Sequence, residues 1–148
     1  MPEKKPIKNS LELEMFADTD FILALIKDTD WLKENAVKIL KQNKGKIWTS
    51  VSVIIELALV CKRFKINTMD AFANVFEIIN VDEETYSVCM KAALYIEKYN
   101  LTVFDAFNAA FCKDEKIISS DSIYESVGIE RVRLEKRFLM GPGKRLFH

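Results

Sequence analysis

The sequence predicts an α/β fold, a parallel sheet covered by helices on both faces. Three observations predict it. Short apolar runs alternate with longer amphipathic stretches, the order expected of strand–crossover–strand units. Aspartate, asparagine, serine or threonine opens nearly every amphipathic stretch, where its oxygen can accept a free first-turn amide. Acidic residues also follow predicted strands, at the edge where open α/β sheets bind ligands.

The elements follow in order. Residues 1–10 are polar, carry Pro2, Pro6, Lys4, Lys5 and Lys8, and read as a mobile tail. The domain is expected over 11–136, with 137–148 a C-terminal tail of no assigned role. Leu13 to Ala17 reads as a buried strand. Asp18-Thr19-Asp20 opens a helix to Lys27, and Asp28-Thr29-Asp30 opens a second, Trp31 to Gln42, with Leu32, Ala36, Val37, Ile39 and Leu40 at helical spacing. Asn43 to Lys46 ends it. Ile47 to Thr49 is a short strand. Ser50 or Ser52 caps an apolar helix to Phe64, and Asn67-Thr68 caps another, Met69 to Phe76. A strand is expected at Ile78 to Val81, a helix at Glu83 to Lys98, and a helix at Val103 to Lys113 capped by Thr102. Lys116 to Ser119 is a strand, Asp121 to Ser126 a helical turn, Gly128 a turn, and Ile129 to Val132 the last strand.

Absences narrow the chemistry. The chain has 148 residues, zero formal net charge and 49% hydrophobic residues, so nothing global draws it to nucleic acid. His148 is the only histidine, which excludes histidine-based triads and Cys-His pairs. Glycine occurs only at 45, 128, 141 and 143, so no dinucleotide fingerprint or P-loop exists. Cys61, Cys89 and Cys112 form no CxxC pair and read as buried free thiols. No signal peptide or apolar span of about 18 residues is seen, so a cytoplasmic, non-membrane protein is expected. Carboxylates remain for catalysis.

Asp18, Glu56, Asp105 and Asp121 each sit in an otherwise apolar or small-residue stretch. A buried carboxylate is costly unless paired or metal-bound, so four of them point to one shared metal pocket. Asp18 and Asp121 follow predicted strands. Glu56 lies about one and a half turns into its helix, and Asp105 in the first turn of the helix before the fourth strand. One cleft at the carboxyl edge of the sheet can collect all four. Taken singly, Asp18, Asp20 and Asp121 read equally well as helix N-caps. Glu56 interrupts the run Val51 to Val60, where an exposed face is hard to find.

Four blocks carry a resemblance. Phe16 to Leu23 resembles the opening hydrophobic-Asp-Thr-Asn/Asp motif of PIN-domain nucleases. Thr49 to Leu57 is similar to their second block, with its glutamate. Leu101 to Ala110 resembles the third and Ile117 to Asp121 the fourth. The resemblance covers residues 13–134. Asp20 stands where asparagine is also common, and Phe138 to His148 has no counterpart. The resemblance implies a three-layer α/β/α sandwich around a five-stranded parallel sheet. It implies Mg²⁺- or Mn²⁺-dependent cleavage of RNA phosphodiesters, with the toxin half of a toxin–antitoxin pair as one biological setting. An RNA substrate, an antitoxin protein and a homodimer are the implied partners.

On that basis Asp18, Asp105 and Asp121 are the expected metal ligands, with Asp105 completing the first site or helping to hold a second ion, and Glu56 is expected to bind through water or to orient the attacking water. Thr19, Ser50 and Ser120 are candidates for hydrogen bonds to these carboxylates or to phosphate, and Asp20 for a cap or an acidic rim. The competing reading is a non-catalytic RNA-binding or assembly module on the same fold; four mutually repelling charges argue against it. A phosphatase is disfavoured because Asp18-Thr19-Asp20 is followed by Phe21-Ile22. Lys62, Arg63 and Lys65 read first as a solvated helix end that complements the dipole, with RNA-backbone contact as the alternative. Trp31, Trp48 and the ten phenylalanines are expected to pack the core.

Overall fold

The computed structural model describes residues 15–135; the expected tails, and the first two residues of the expected strand at 13–17, lie outside them. The described chain divides into two units, 15–111 and 112–135.

In the first unit, β1 (Met15–Phe16) and β2 (Ile47–Trp48) pair in parallel, with Met15 opposite Ile47 and Phe16 opposite Trp48. Parallel neighbours need a crossover, and two helices supply it: α1 (Thr19–Ile26) and α2 (Lys33–Gln42). Two more, α3 (Val51–Arg63) and α4 (Thr68–Ile78), lead from β2 to Asn80. Asn80 makes one parallel bridge to Trp48, its amide donating to the Ile47 carbonyl at 2.9 Å. The strand expected at Ile78 to Val81 is therefore shortened to a single bridged residue, because α4 keeps its hydrogen bonds through Ile78. Then come α5 (Glu83–Tyr99) and α6 (Val103–Cys112), the latter ending at the boundary between the units.

The helix starts follow capping chemistry. Asp18, Asn67 and Asp82 accept first-turn amides of α1, α4 and α5 through their side chains. The expected second helix begins two residues late. Asp30 turns the chain by accepting the Leu32 amide at 2.8 Å, so Trp31 and Leu32 stay outside the helix. The core is helical: Ile54 and Leu57 of α3, Phe72 and Val75 of α4, Cys89 and Ala92 of α5, and Ala106 and Phe107 of α6 are buried. The Phe72 and Phe107 rings lie 6.4 Å apart at a tilt of 54°.

The second unit contains β3 (Ile117–Ser119), a 3-10 helix (Ser122–Val127) and β4 (Arg131–Arg133). β3 and β4 pair in parallel, with Ile118 opposite Val132. Gly128, at φ 80°, ends the 3-10 helix in the left-handed region. Arg131 holds this unit together. Its guanidinium donates to the Ser119 carbonyl at 3.0 Å, to Glu125 at 3.2 Å and to Glu135 at 2.6 Å.

The α/β class and the order of elements agree with expectation. The single five-stranded sheet does not appear among the described residues. Instead there are two sheets of two strands each, because every strand is only two or three residues long and offers few ladder hydrogen bonds. Several aromatic side chains also depart from expectation. Trp31 is 89% exposed, and Phe16, Phe64, Phe104 and Phe111 are exposed as well. On α6 the cause is a helix apolar on both sides: Ala106, Phe107 and Ala110 take the core face, which leaves Phe104 and Phe111 outside.

Candidate metal and nuclease site

The site starts at the carboxyl end of β1. The Ala17 amide donates to the Trp48 carbonyl at 2.8 Å, and the Thr49 hydroxyl donates back to the Ala17 carbonyl at 2.9 Å. Thr49 is buried, so the ends of β1 and β2 are locked side by side. The next residue is Asp18. It leaves the strand in extended conformation and caps α1, accepting the Thr19 amide at 2.7 Å.

Thr19 is buried and does a second job. Its hydroxyl donates to Oε2 of Glu56 on α3 at 2.5 Å. One threonine therefore binds two carboxylates that are 38 residues apart in sequence, Asp18 through its amide and Glu56 through its hydroxyl. The remaining oxygens of both carboxylates have no protein partner among the described residues.

Both acids are exposed, not buried as the sequence suggested. For Glu56 the reason is that α3 does have a solvent face. Ser52, Glu56, Leu59 and Arg63 line it, while Val53, Ile54, Leu57, Ala58 and Cys61 face the core. Leu59, apolar but exposed, hides this face from a reading of periodicity.

The other candidates are placed as follows. Asp105 is half-buried in the first turn of α6, and its amide donates to the Thr102 hydroxyl at 3.3 Å. Asp20 is exposed in the first turn of α1, whose cap is Asp18. Ser50 occupies the N-cap position of α3 without capping it; its hydroxyl pairs with that of Ser52 at 2.7 Å. In the second unit Asp121 is exposed and caps the 3-10 helix, accepting the Ile123 amide at 2.9 Å. Its own amide donates to the Ser119 hydroxyl at 3.0 Å, while Ser120 is exposed. Ser119 and Arg131, which fix the Asp121 turn, were not singled out from sequence. Their signal was weak: a serine among serines, and an arginine whose buried side chain is visible only in the fold.

Among the described residues no three acidic, cysteine or histidine groups stand close enough together to hold a metal ion. The first unit brings together a pair, Asp18 and Glu56. The donors fit a hard divalent cation: they are carboxylate oxygens, face solvent, and have no Lys or Arg partner among the described residues. Mg²⁺ uses one or two carboxylates and keeps several waters, so a pair is a sufficient protein contribution to one ion. The thiols do not compete for that role. Burial, with Glu97 adding to it, pushes Cys61 up to about 11; burial, with Asp82 adding to it, pushes Cys89 up to about 12. Both are protonated at neutral pH, and a thiol must ionise to ligate. Cys112 differs from expectation in being only half-buried, its thiol donating to the Glu115 carbonyl.

Asp82 also stands at the carboxyl end of a strand position and drew no notice in the sequence. Both of its oxygens serve the fold, one accepting the Thr85 amide and the other the Thr85 hydroxyl.

The role of Thr19 is testable. Thr19→Val keeps the shape but removes the hydroxyl that orients Glu56. Losing an outer partner of a metal-site carboxylate typically costs about 10–100-fold. Thr19→Val is expected to lower nuclease turnover by that factor, and Thr19→Ser to retain most of it. Equal rates for Thr19→Val and the unmutated protein in a labelled-RNA assay would remove Thr19 from the site.

Among the described residues no helix is long and apolar enough to cross a membrane. No curated protein and no solved structure matches the chain. The family model for the PIN domain matches residues 15–130, which include β1, the Asp18–Thr19–Glu56 arrangement, Asp105 and Asp121. PIN domains are in general Mg²⁺- or Mn²⁺-dependent nucleases. With the match spanning most of its length, and with an exposed carboxylate pair at the end of a parallel strand, the chain belongs to the PIN-domain family.

Proposed function

We propose that this protein is a metal-dependent endoribonuclease that hydrolyses RNA phosphodiesters. Asp18 is the proposed ligand of Mg²⁺ or Mn²⁺ in the first unit, and Glu56 the residue that orients the attacking water; Asp105 and Asp121 are proposed as ligands from the family pattern alone, not from their placement. The observation that carries the reading is the double use of Thr19, which fixes a metal-type carboxylate and the glutamate to one buried residue. Family membership supports it. A divalent cation supplies Lewis-acid polarisation of phosphate and makes water a better nucleophile near neutral pH.

The protein groups have distinct tasks. Asp18 presents at the strand end an oxygen that has no partner among the described residues, and α1 and β1 both restrain it. Thr19 keeps one Glu56 oxygen occupied, so the other is left to accept a proton from water. In the second unit Asp121 is held by two local bonds, its amide donating to the Ser119 hydroxyl and its carboxylate accepting the Ile123 amide. The biological setting we propose is the toxin half of a toxin–antitoxin pair. A homodimer is the proposed assembly, on the family resemblance alone.

Incubation of a 5′-labelled RNA with the purified protein tests this. Cleavage is expected with Mg²⁺ or Mn²⁺, and loss of cleavage with excess chelator. Undiminished cleavage in chelator would refute the mechanism.

A further inference from the structure

The far end of the α1–α3 pair holds a second feature that the nuclease chemistry does not use. Thr19 touches Glu56 at one end. Eight residues later on each helix, the Lys27 ammonium lies 5.9 Å from the centre of the Phe64 ring. Two contacts with equal spacing show that α1 and α3 run side by side in the same direction. At 1.5 Å of rise per residue, the ends are about 12 Å apart, a span of a few nucleotides.

Phe64 is 59% exposed at the C-terminal end of α3. The Arg63 guanidinium lies 5.7 Å from its ring centre, and Lys65 follows. Lys27, Arg63 and Lys65 are exposed and have no carboxylate partner among the described residues. Trp31 adds a second exposed ring in the loop after Lys27. Lys33 ties that loop to α1, donating to the carbonyls of Leu25 and Lys27. Asp28 is the opposing charge in that loop; Asp30 is occupied by the Leu32 amide. Cations alone would suit two helix C-termini. An exposed ring between unpaired cations is not explained that way. It matches the combination that binds single strands without sequence readout: an aromatic face for a base and cations for the flanking phosphates.

We propose that Phe64, Lys27, Arg63 and Lys65 form a contact for single-stranded RNA that guides the strand along α1 and α3 towards Asp18 and Glu56. The proposal rests on the nuclease reading for its occupant. Charge complementarity favours RNA over a protein surface, since the cations around the ring await anions.

The test is fluorescence anisotropy of a labelled single-stranded oligoribonucleotide with the full chain, in chelator to prevent cleavage, over a series of salt concentrations. Phe64→Leu keeps an apolar side chain but cannot stack; it is expected to weaken binding about tenfold. Phe64→Trp should restore it. Arg63→Gln should reduce the slope of log affinity against log salt by about one. Thermal melts confirm that each variant folds. Unchanged affinity in Phe64→Leu together with an unchanged slope in Arg63→Gln overturns the proposal, as does an absence of RNA binding by the unmutated protein. A self-association that Phe64→Leu abolishes, at unaltered RNA affinity, also overturns it, in favour of a protein interface. Phe64-dependent binding without cleavage on adding Mn²⁺ upholds this contact and sinks the nuclease reading; metal-dependent cleavage with Phe64-independent binding does the reverse.

Discussion

Asp18→Asn is expected to abolish RNA cleavage while leaving the fold intact. The substitution separates the two tasks of Asp18. As the cap of α1 it needs only an oxygen to accept the Thr19 amide, and asparagine is as good an N-cap as aspartate. As a metal ligand it needs a charge, which asparagine lacks. Outer partners of metal ligands are already worth about 10–100-fold, so loss of a direct ligand should cost more than about a hundredfold in turnover. The melting temperature measured in chelator should stay within a few degrees of the unmutated value. A cap with no further role predicts the reverse for Asp18→Ala: about 1 kcal/mol of lost stability and undiminished cleavage. Activity of Asp18→Asn above a tenth of the unmutated rate would exclude Asp18 as a ligand.

The largest effect on stability is expected from Phe107→Ala. Phe107 is 2% exposed and packs against Phe72 of α4, which is fully buried. Removing a buried phenylalanine leaves a cavity and costs about 3–5 kcal/mol. A domain of this size has about 5–15 kcal/mol in total, so the variant should melt far below the unmutated protein or fail to accumulate. Phe107 sits two residues after Asp105, so the same change should loosen the turn that carries that carboxylate. Phe107→Leu keeps most of the volume and should cost much less, with cleavage retained. Denaturant titration of both variants measures the difference. A loss below about 1 kcal/mol in Phe107→Ala would mean that α4 and α6 do not share this core.

The sequence made some parts of this structure readable and hid others, for physical reasons. Helix starts were readable because capping is a local reaction between a side chain and amides within three residues. Asp18, Asn67 and Thr102 accept first-turn amides where the sequence placed a helix start. The α/β alternation was readable because it depends on the order of elements alone. The end of α4 was not. Ile78 to Val81 is an apolar run too short to tell helix from strand, and helical hydrogen bonds took Ile78. Exposure was the least readable property. On α3 and α6 apolar residues occur on both faces, so periodicity could not show that Glu56, Phe64 and Phe104 face solvent. The link between Thr19 and Glu56 was open as a chemical possibility for Thr19, but only tertiary packing of α1 against α3 could choose Glu56 as its acceptor.

The proposed function stands on Asp18 and Glu56 acting together as a metal site. Calorimetric titration of metal-free protein with Mn²⁺ tests it most directly, because the readout is binding and not turnover. Saturable binding to the unmutated protein is expected, weakened at least tenfold in each of Asp18→Asn and Glu56→Gln, with both variants folded. Unmutated protein that takes up no Mn²⁺, or variants that bind it as tightly as the unmutated chain, would contradict a shared carboxylate site.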